Sequence, residues 1–113
     1  MVITYQPLAL ATQDGRPPRD YPVSIILVNY HSRPQLERCL QSLYADTSSS
    51  VHQVIVVDNS IEPELGGMTA QYPNLVILAN ANNPGFGAGC NLGASLAQGD
   101  TLVFLNPDTV VAP

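Results

Sequence analysis

Four apolar runs constrain this chain more tightly than any other feature: residues 23–28, 54–57, 75–78 and 101–105. Each is rich in β-branched residues and continuous in its hydrophobicity. A strand with one wet face alternates, whereas a continuous run marks a parallel strand covered on both sides. Parallel strands cannot be joined by tight hairpins and need a crossover of a dozen or more residues. The runs begin at positions 23, 54, 75 and 101, which leaves room for one crossover each time.

Helical signals fill two of the gaps. Ser32 is placed to cap a helix entered near Pro34, with Leu36, Cys39, Leu40 and Leu43 on one face. Residues 88–97 form the second helix, with Leu92 and Leu96 one turn apart and Gly99 expected as the left-handed residue that ends it. Gly66 and Gly67 interrupt the middle gap, which predicts a short helix or a loop. The alternation defines an α/β fold with a mainly parallel β-sheet flanked by helices and right-handed crossovers. Residues 1–22, with Pro7, Gly15, Pro17, Pro18 and Pro22, read as a Pro-rich flexible leader ahead of a domain spanning 23–113.

Composition narrows the ligand. Nine acidic residues stand against four arginines and no lysine, for a net charge of −5. Long nucleic acid, whose affinity comes mostly from cationic contacts to phosphate, is excluded as a partner. A small anion held by backbone N–H groups or through a divalent cation remains open. No apolar run reaches the roughly 20 residues of a transmembrane helix. The first residues lack the pattern of a secretory signal, so a cytoplasmic protein is expected. Cys39 and Cys90 have no zinc-like spacing and read as free thiols on apolar helix faces.

In open α/β sheets, ligands bind beyond the carboxyl ends of the strands. Here those ends read Asn29-Tyr30-His31-Ser32, Asp58-Asn59-Ser60, Asn80 through Gly87, and Asn106-Pro107-Asp108-Thr109. Each segment also has a plain structural reading, because Asn and Asp favour turns after strands. Tyr30 suits a half-buried packing position, His31 a solvent-facing loop, and His52 a structural place ahead of a strand. Gly85, Gly87, Gly89 and Gly93 invite comparison with a dinucleotide-binding loop, but that fingerprint follows the first strand of its unit. The turn after Val28 holds no glycine, so close helix packing explains these glycines better than a dehydrogenase does.

Four stretches, in this order and spacing, resemble the inverting glycosyltransferase family 2, whose fold is GT-A: Val23 to Tyr30, Val56 to Ser60, Asn83 to Gly93 and Phe104 to Thr109. The likeness runs from Pro22 to Ala112. The Gly85-Phe86 and Leu105-Asn106-Pro107-Asp108 forms are most similar to rhamnosyltransferase-type members that build cell-surface polysaccharides. The resemblance implies a Rossmann-like GT-A nucleotide-binding half. In it, Tyr30, with the backbone of Val28 and Asn29, lines the pocket for the base. Asp58 accepts a hydrogen bond from the base ring, and Asn91 matches the family's helix asparagine near the pocket. Asn106 and Asp108 match the first and last positions of an Asp-x-Asp motif, whose last carboxylate ligates Mg²⁺ or Mn²⁺ bridging the donor's diphosphate.

The match has departures. Asn106 stands where an aspartate is usual, Pro84, Gly87 and Cys90 replace commoner loop residues, and Asn59-Ser60-Ile61-Glu62-Pro63 is an unusual continuation after Asp58. The resemblance further implies a nucleoside-diphosphate sugar as donor and a glycan or lipid-linked acceptor. It puts the acceptor-binding half and the catalytic carboxylate base beyond Pro113. On that reading the chain is a donor half, inactive alone, in the cytoplasm or at the inner face of the membrane, and none of its residues is the base. The alternatives are a non-catalytic nucleotide-binding module of the same fold and a dinucleotide-dependent oxidoreductase.

Overall fold

The computed structural model describes residues 2–5, 21–45, 53–60, 65–72, 74–80 and 85–108, with backbone alone for 2–5 and 21. In chain order the elements are β1 (Val2–Tyr5), β2 (Tyr21–Asn29), α1 (Arg33–Tyr44), β3 (Gln53–Asp58), a 3₁₀ turn (Met68–Ala70), β4 (Leu75–Ala79), α2 (Phe86–Leu96) and β5 (Gly99–Leu105). The five strands form one sheet in the order β1-β5-β2-β3-β4. β2, β3, β4 and β5 are parallel, and β1 runs antiparallel along β5. All four predicted strands are present. β4 is less enclosed than its apolar run implies: it is an edge strand, and Val76 is exposed.

Two segments assigned to the leader belong to the sheet. Val2–Tyr5 pairs with β5 in the register Val2↔Leu105 to Tyr5↔Leu102, and Tyr21 and Pro22 open β2. A strand of four residues carries too short a pattern to stand out from its proline-rich surroundings. Residues 6–20, including the apolar stretch 8–11, lie outside the described residues, as do His52, Pro84 and Thr109.

Helices cover both faces, which is why β3 is buried at all six positions. On one side, Leu36, Cys39, Leu40 and Leu43 of α1 pack with Ile25, Leu27, Val54 and Val56, joined by Leu65 and Met68 at the 3₁₀ turn. On the other, Ile26, Val28, Ile55 and Val57 meet Ala97 and the half-buried Cys90 and Ala94. Burial of each such aliphatic side chain stabilises by roughly 1.5–3 kcal/mol. The face expected of α1 is the face buried. Ser32 precedes that helix, but its hydroxyl donates to the Tyr30 carbonyl at 2.9 Å and makes no cap bond.

α2 departs from the pattern. Leu92 and Leu96 are exposed, and the buried positions are Gly89 and Gly93. A Cβ on Gly93 would lie 2.6 Å from Ile26 Cγ2, and one on Gly89 would lie 2.9 Å from both Val28 methyls. Leucine pairs mark the apolar side only when the helix stands a side chain away from the sheet; this one lies almost on it. Gly99 is not a helix terminator either. It begins β5, where a Cβ would meet the Ser24 backbone nitrogen at 2.5 Å, and its N–H donates to Ser24 Oγ at 2.8 Å.

Gly99→Ala is therefore expected to cost about 2 kcal/mol or more in urea unfolding, because backbone cannot yield as a side-chain tip can. Gly87→Ala, in the same region but with open space around it, should be neutral or stabilise by up to about 1 kcal/mol.

Candidate functional site

The chain moves outward from β2 through β3 to β4, then returns over β2 by way of α2 to place β5 on its other side. The connection that leaves the carboxyl end of β2 runs into α1 on one face while α2 covers the other, and a crevice opens between the ends of β2 and β5. A cavity of about 310 Å³ lies there, lined by Val28, Tyr30, Ser32, Gln35, Phe86, Asn106, Pro107 and Asp108. The lining comes from the ends of β2 and β5, the first turn of α1 and the first residue of α2.

Behind it lies a buried polar layer set by strand register, which aligns Asn29 with Asp58 and Asp58 with Ala79. Asn29 Nδ2 donates to Asp58 Oδ1 at 3.1 Å, and the Ser60 N–H donates to the same oxygen at 3.1 Å. Asn29 Oδ1 accepts the Ser32 N–H at 3.2 Å, and Ser60 Oγ accepts the His31 N–H at 2.9 Å. The turn after β2 is thus fixed from below, with His31 held at φ 49, a left-handed conformation rarely adopted outside glycine. Asn59 continues the layer: its Nδ2 donates to the Gly85 carbonyl at 3.2 Å, and its Oδ1 accepts from Asn80 Nδ2 at 3.1 Å. Asp58 Oδ1 takes the bonds from both Asn29 and Ser60, and among the described residues Oδ2 has no partner although Asp58 is only 5% exposed.

Val28, Tyr30, Asn106 and Asp108 meet around the cavity. Asn29 and Asp58 belong to the buried polar layer and are not among the residues that line it. Asn91 is exposed on α2 and does not line it. The reason is helical register: Gly89 and Gly93 turn inward, so the position midway between them turns out. Ser32, Gln35, Phe86 and Pro107 complete the lining. Gln35 follows from an α1 that starts at the carboxyl end of β2, but the position of Phe86 depends on how closely α2 approaches the sheet. The same close packing accounts for the glycines without any phosphate-binding turn.

Asn106 Oδ1 accepts the Asp108 N–H at 3.4 Å, a turn that sets the carboxylate at the cavity rim. Among the described residues, Asp108 is the one carboxylate in the lining, and no arginine or histidine lines it. Among the described residues no three His, Cys, Asp or Glu gather as a metal-binding group. The field of Asp108 reaches α1: burial first, and the Asp108 charge second, push the Cys39 thiol from an ordinary 9.0 up to about 11. Burial also raises Cys90. Both cysteines are free.

Residues 24–113 match Glycosyl transferase family 2, so the chain belongs to that family. It is 32% identical over 91 residues to an uncharacterized glycosyltransferase of Haemophilus influenzae, covering 80% of this chain and 31% of that protein. An uncharacterized glycosyltransferase of Nostoc sp. is 32% identical over 94 residues, with 80% and 29% covered. The chain thus spans about three tenths of the length of these relatives. The crystal structure of Staphylococcus aureus TarS 1–349 superposes with a TM-score of 0.67 at 25% identity, covering 76% of this chain and 27% of that one. The α/β architecture with its mainly parallel sheet is the GT-A half expected from the resemblance. Among the described residues, no helix is long and apolar enough to cross a membrane.

Removing Asn29 leaves Asp58 short of a donor in a buried place, so Asn29→Ala should lower the unfolding free energy by about 2 kcal/mol with an unchanged urea slope. The raised Cys39 thiol means that the native state holds its proton more tightly than the unfolded chain. Its contribution to stability is intact below pH 9.0 and is lost as pH rises toward 11. Asp108→Asn should shift thiolate formation, followed by ultraviolet absorbance, to lower pH while leaving it above 9.0, because burial is the larger cause.

Proposed function

We propose that this chain is the donor-binding part of an inverting glycosyltransferase that moves a sugar from a nucleoside-diphosphate sugar to a saccharide or lipid-linked acceptor. The observation that carries the reading is a cavity between the ends of β2 and β5 with an aromatic platform, Tyr30, and, among the described residues, a single carboxylate, Asp108. Family membership supports the reaction class. The Gly85-Phe86 and Leu105-Asn106-Pro107-Asp108 forms favour a rhamnosyltransferase-like role in cell-surface polysaccharide synthesis. A lipid-linked acceptor would bring the domain to the inner, cytoplasmic face of a membrane.

Each residue has a part in holding donor. The Tyr30 ring, 45% exposed, offers a face for the base. Asp58 has one oxygen committed to Asn29 and Ser60, and the other suits a ring N–H. Among the described residues no side-chain cation lines the cavity to meet a diphosphate. Asp108 is a hard oxygen donor, and the Asn106 amide oxygen is engaged in the turn that presents it. This donor set fits Mg²⁺ or Mn²⁺, which commonly use one or two carboxylates together with substrate phosphates. A cation held by Asp108 would supply Lewis-acid neutralisation of charge on the departing diphosphate. Transfer also requires a general base to deprotonate the acceptor hydroxyl, and no residue of this chain is proposed for it.

Calorimetric titration of UDP, dTDP, GDP and NAD with and without Mn²⁺ tests the reading. A nucleoside diphosphate is expected to bind at least tenfold more tightly with the metal, and metal-independent binding of NAD would overturn the assignment. Asp108→Ala should abolish the metal effect. Asp58→Ala should keep that effect and weaken binding about tenfold, the loss of a good hydrogen bond to a charged group.

A further inference from the structure

Phe86, the first residue of α2, is 43% exposed and faces the same cavity as Tyr30. A phenyl ring left in water at a helix start does nothing for the fold, yet its position is tightly fixed. Gly85 before it takes φ 99, and the Gly85 carbonyl accepts both Asn59 Nδ2 at 3.2 Å and the Gly89 N–H at 3.1 Å. Gly89, less than one turn further on, rests against Val28 with no room for a side chain. Phe86 is therefore tied to the residue following Asp58 and to the end of β2, the two places that frame the proposed base site.

Its ring contacts no other aromatic ring among the described residues, whereas the Tyr30 ring meets the His31 ring edge-on, centroids 4.7 Å apart. Two rings thus border one cavity without meeting. A planar ring stacked between two walls needs them about 7–8 Å apart, twice the optimal carbon–carbon separation. Among the described lining residues, Phe86 is the other side chain that offers an aromatic face to cover the second side of such a ring.

We propose that Phe86 is the second wall of the nucleobase slot, closing over the base from the α2 side while Tyr30 supports it from the β2 side. The proposal rests on the donor-binding reading above and adds a residue that sets affinity without choosing the base. Every base has a π-face, so stacking is tolerant of identity; selection falls to the hydrogen bond at Asp58.

The test compares the unaltered chain with Phe86→Ala and Phe86→Trp, using UDP, dTDP and GDP in Mn²⁺, and inorganic pyrophosphate in Mn²⁺ as the base-free probe. Phe86→Ala should weaken all three nucleotides about tenfold or more, leave pyrophosphate unchanged, and leave the thermal midpoint in place because the ring is exposed. Phe86→Trp should restore nucleotide binding. Equal loss for pyrophosphate and nucleotides would show a role in shaping the loop and overturn the proposal. So would unaltered nucleotide affinity, which would point to the acceptor instead. If the unaltered chain binds pyrophosphate but no nucleotide better, or binds none of the probes, the donor-binding reading itself falls.

Discussion

α2 must carry the chain back across β2, and it does so lying nearly against the sheet. The close approach is permitted by the absence of side chains at Gly89 and Gly93, which rest on Val28 and Ile26. The return crossing delivers β5 to the open side of β2, and from that follow the antiparallel β1 along β5 and the crevice between the ends of β2 and β5. It also lowers the start of α2 to the level of the strand ends, so that Phe86 faces the cavity. A larger residue at either glycine would lift the helix and open the site along with the core.

β2 is anchored at both ends by polar side chains in an otherwise apolar interior. At its start, Ser24 Oγ donates to Gln53 Oε1 at 2.7 Å and accepts the Gly99 N–H at 2.8 Å, tying β2 to β3 and to the exit of α2. At its finish, Asn29 binds Asp58 and the turn at Ser32. Buried polar groups of this kind cost stability unless satisfied and fix register once they are. A one-residue slip of β2 against β3 would separate both pairs together. The network thus ties the ends of β2 and β3 together beside the cavity, while one oxygen of Asp58 stays outside it.

Charge and site composition point the same way. A chain with net charge −5 that uses an amide at position 106 where a second carboxylate is usual keeps the rim of the cavity from becoming strongly anionic. The remaining carboxylate is felt as far as Cys39 on α1, where it adds to the effect of burial.

The strands, the fold class and the polar strand ends were legible in the sequence because burial on both faces writes itself as continuous hydrophobicity, and β1 was not because four residues carry too little pattern. That Tyr30, Asn106 and Asp108 would line one cavity was legible because they directly follow strands whose ends lie side by side. Close packing of α2 was legible in Gly89 and Gly93, whereas the exposure of Leu92 and Leu96 and the place of Gly99 in β5 were not, since one-dimensional periodicity does not encode how far a helix stands from its sheet. That distance was decided in three dimensions, by glycine against Ile26 and Val28. The sequence by itself determined which residues stand at the strand ends; the tertiary structure decided which face a common cavity, because strand order and helix height depend on contacts between segments far apart in the chain.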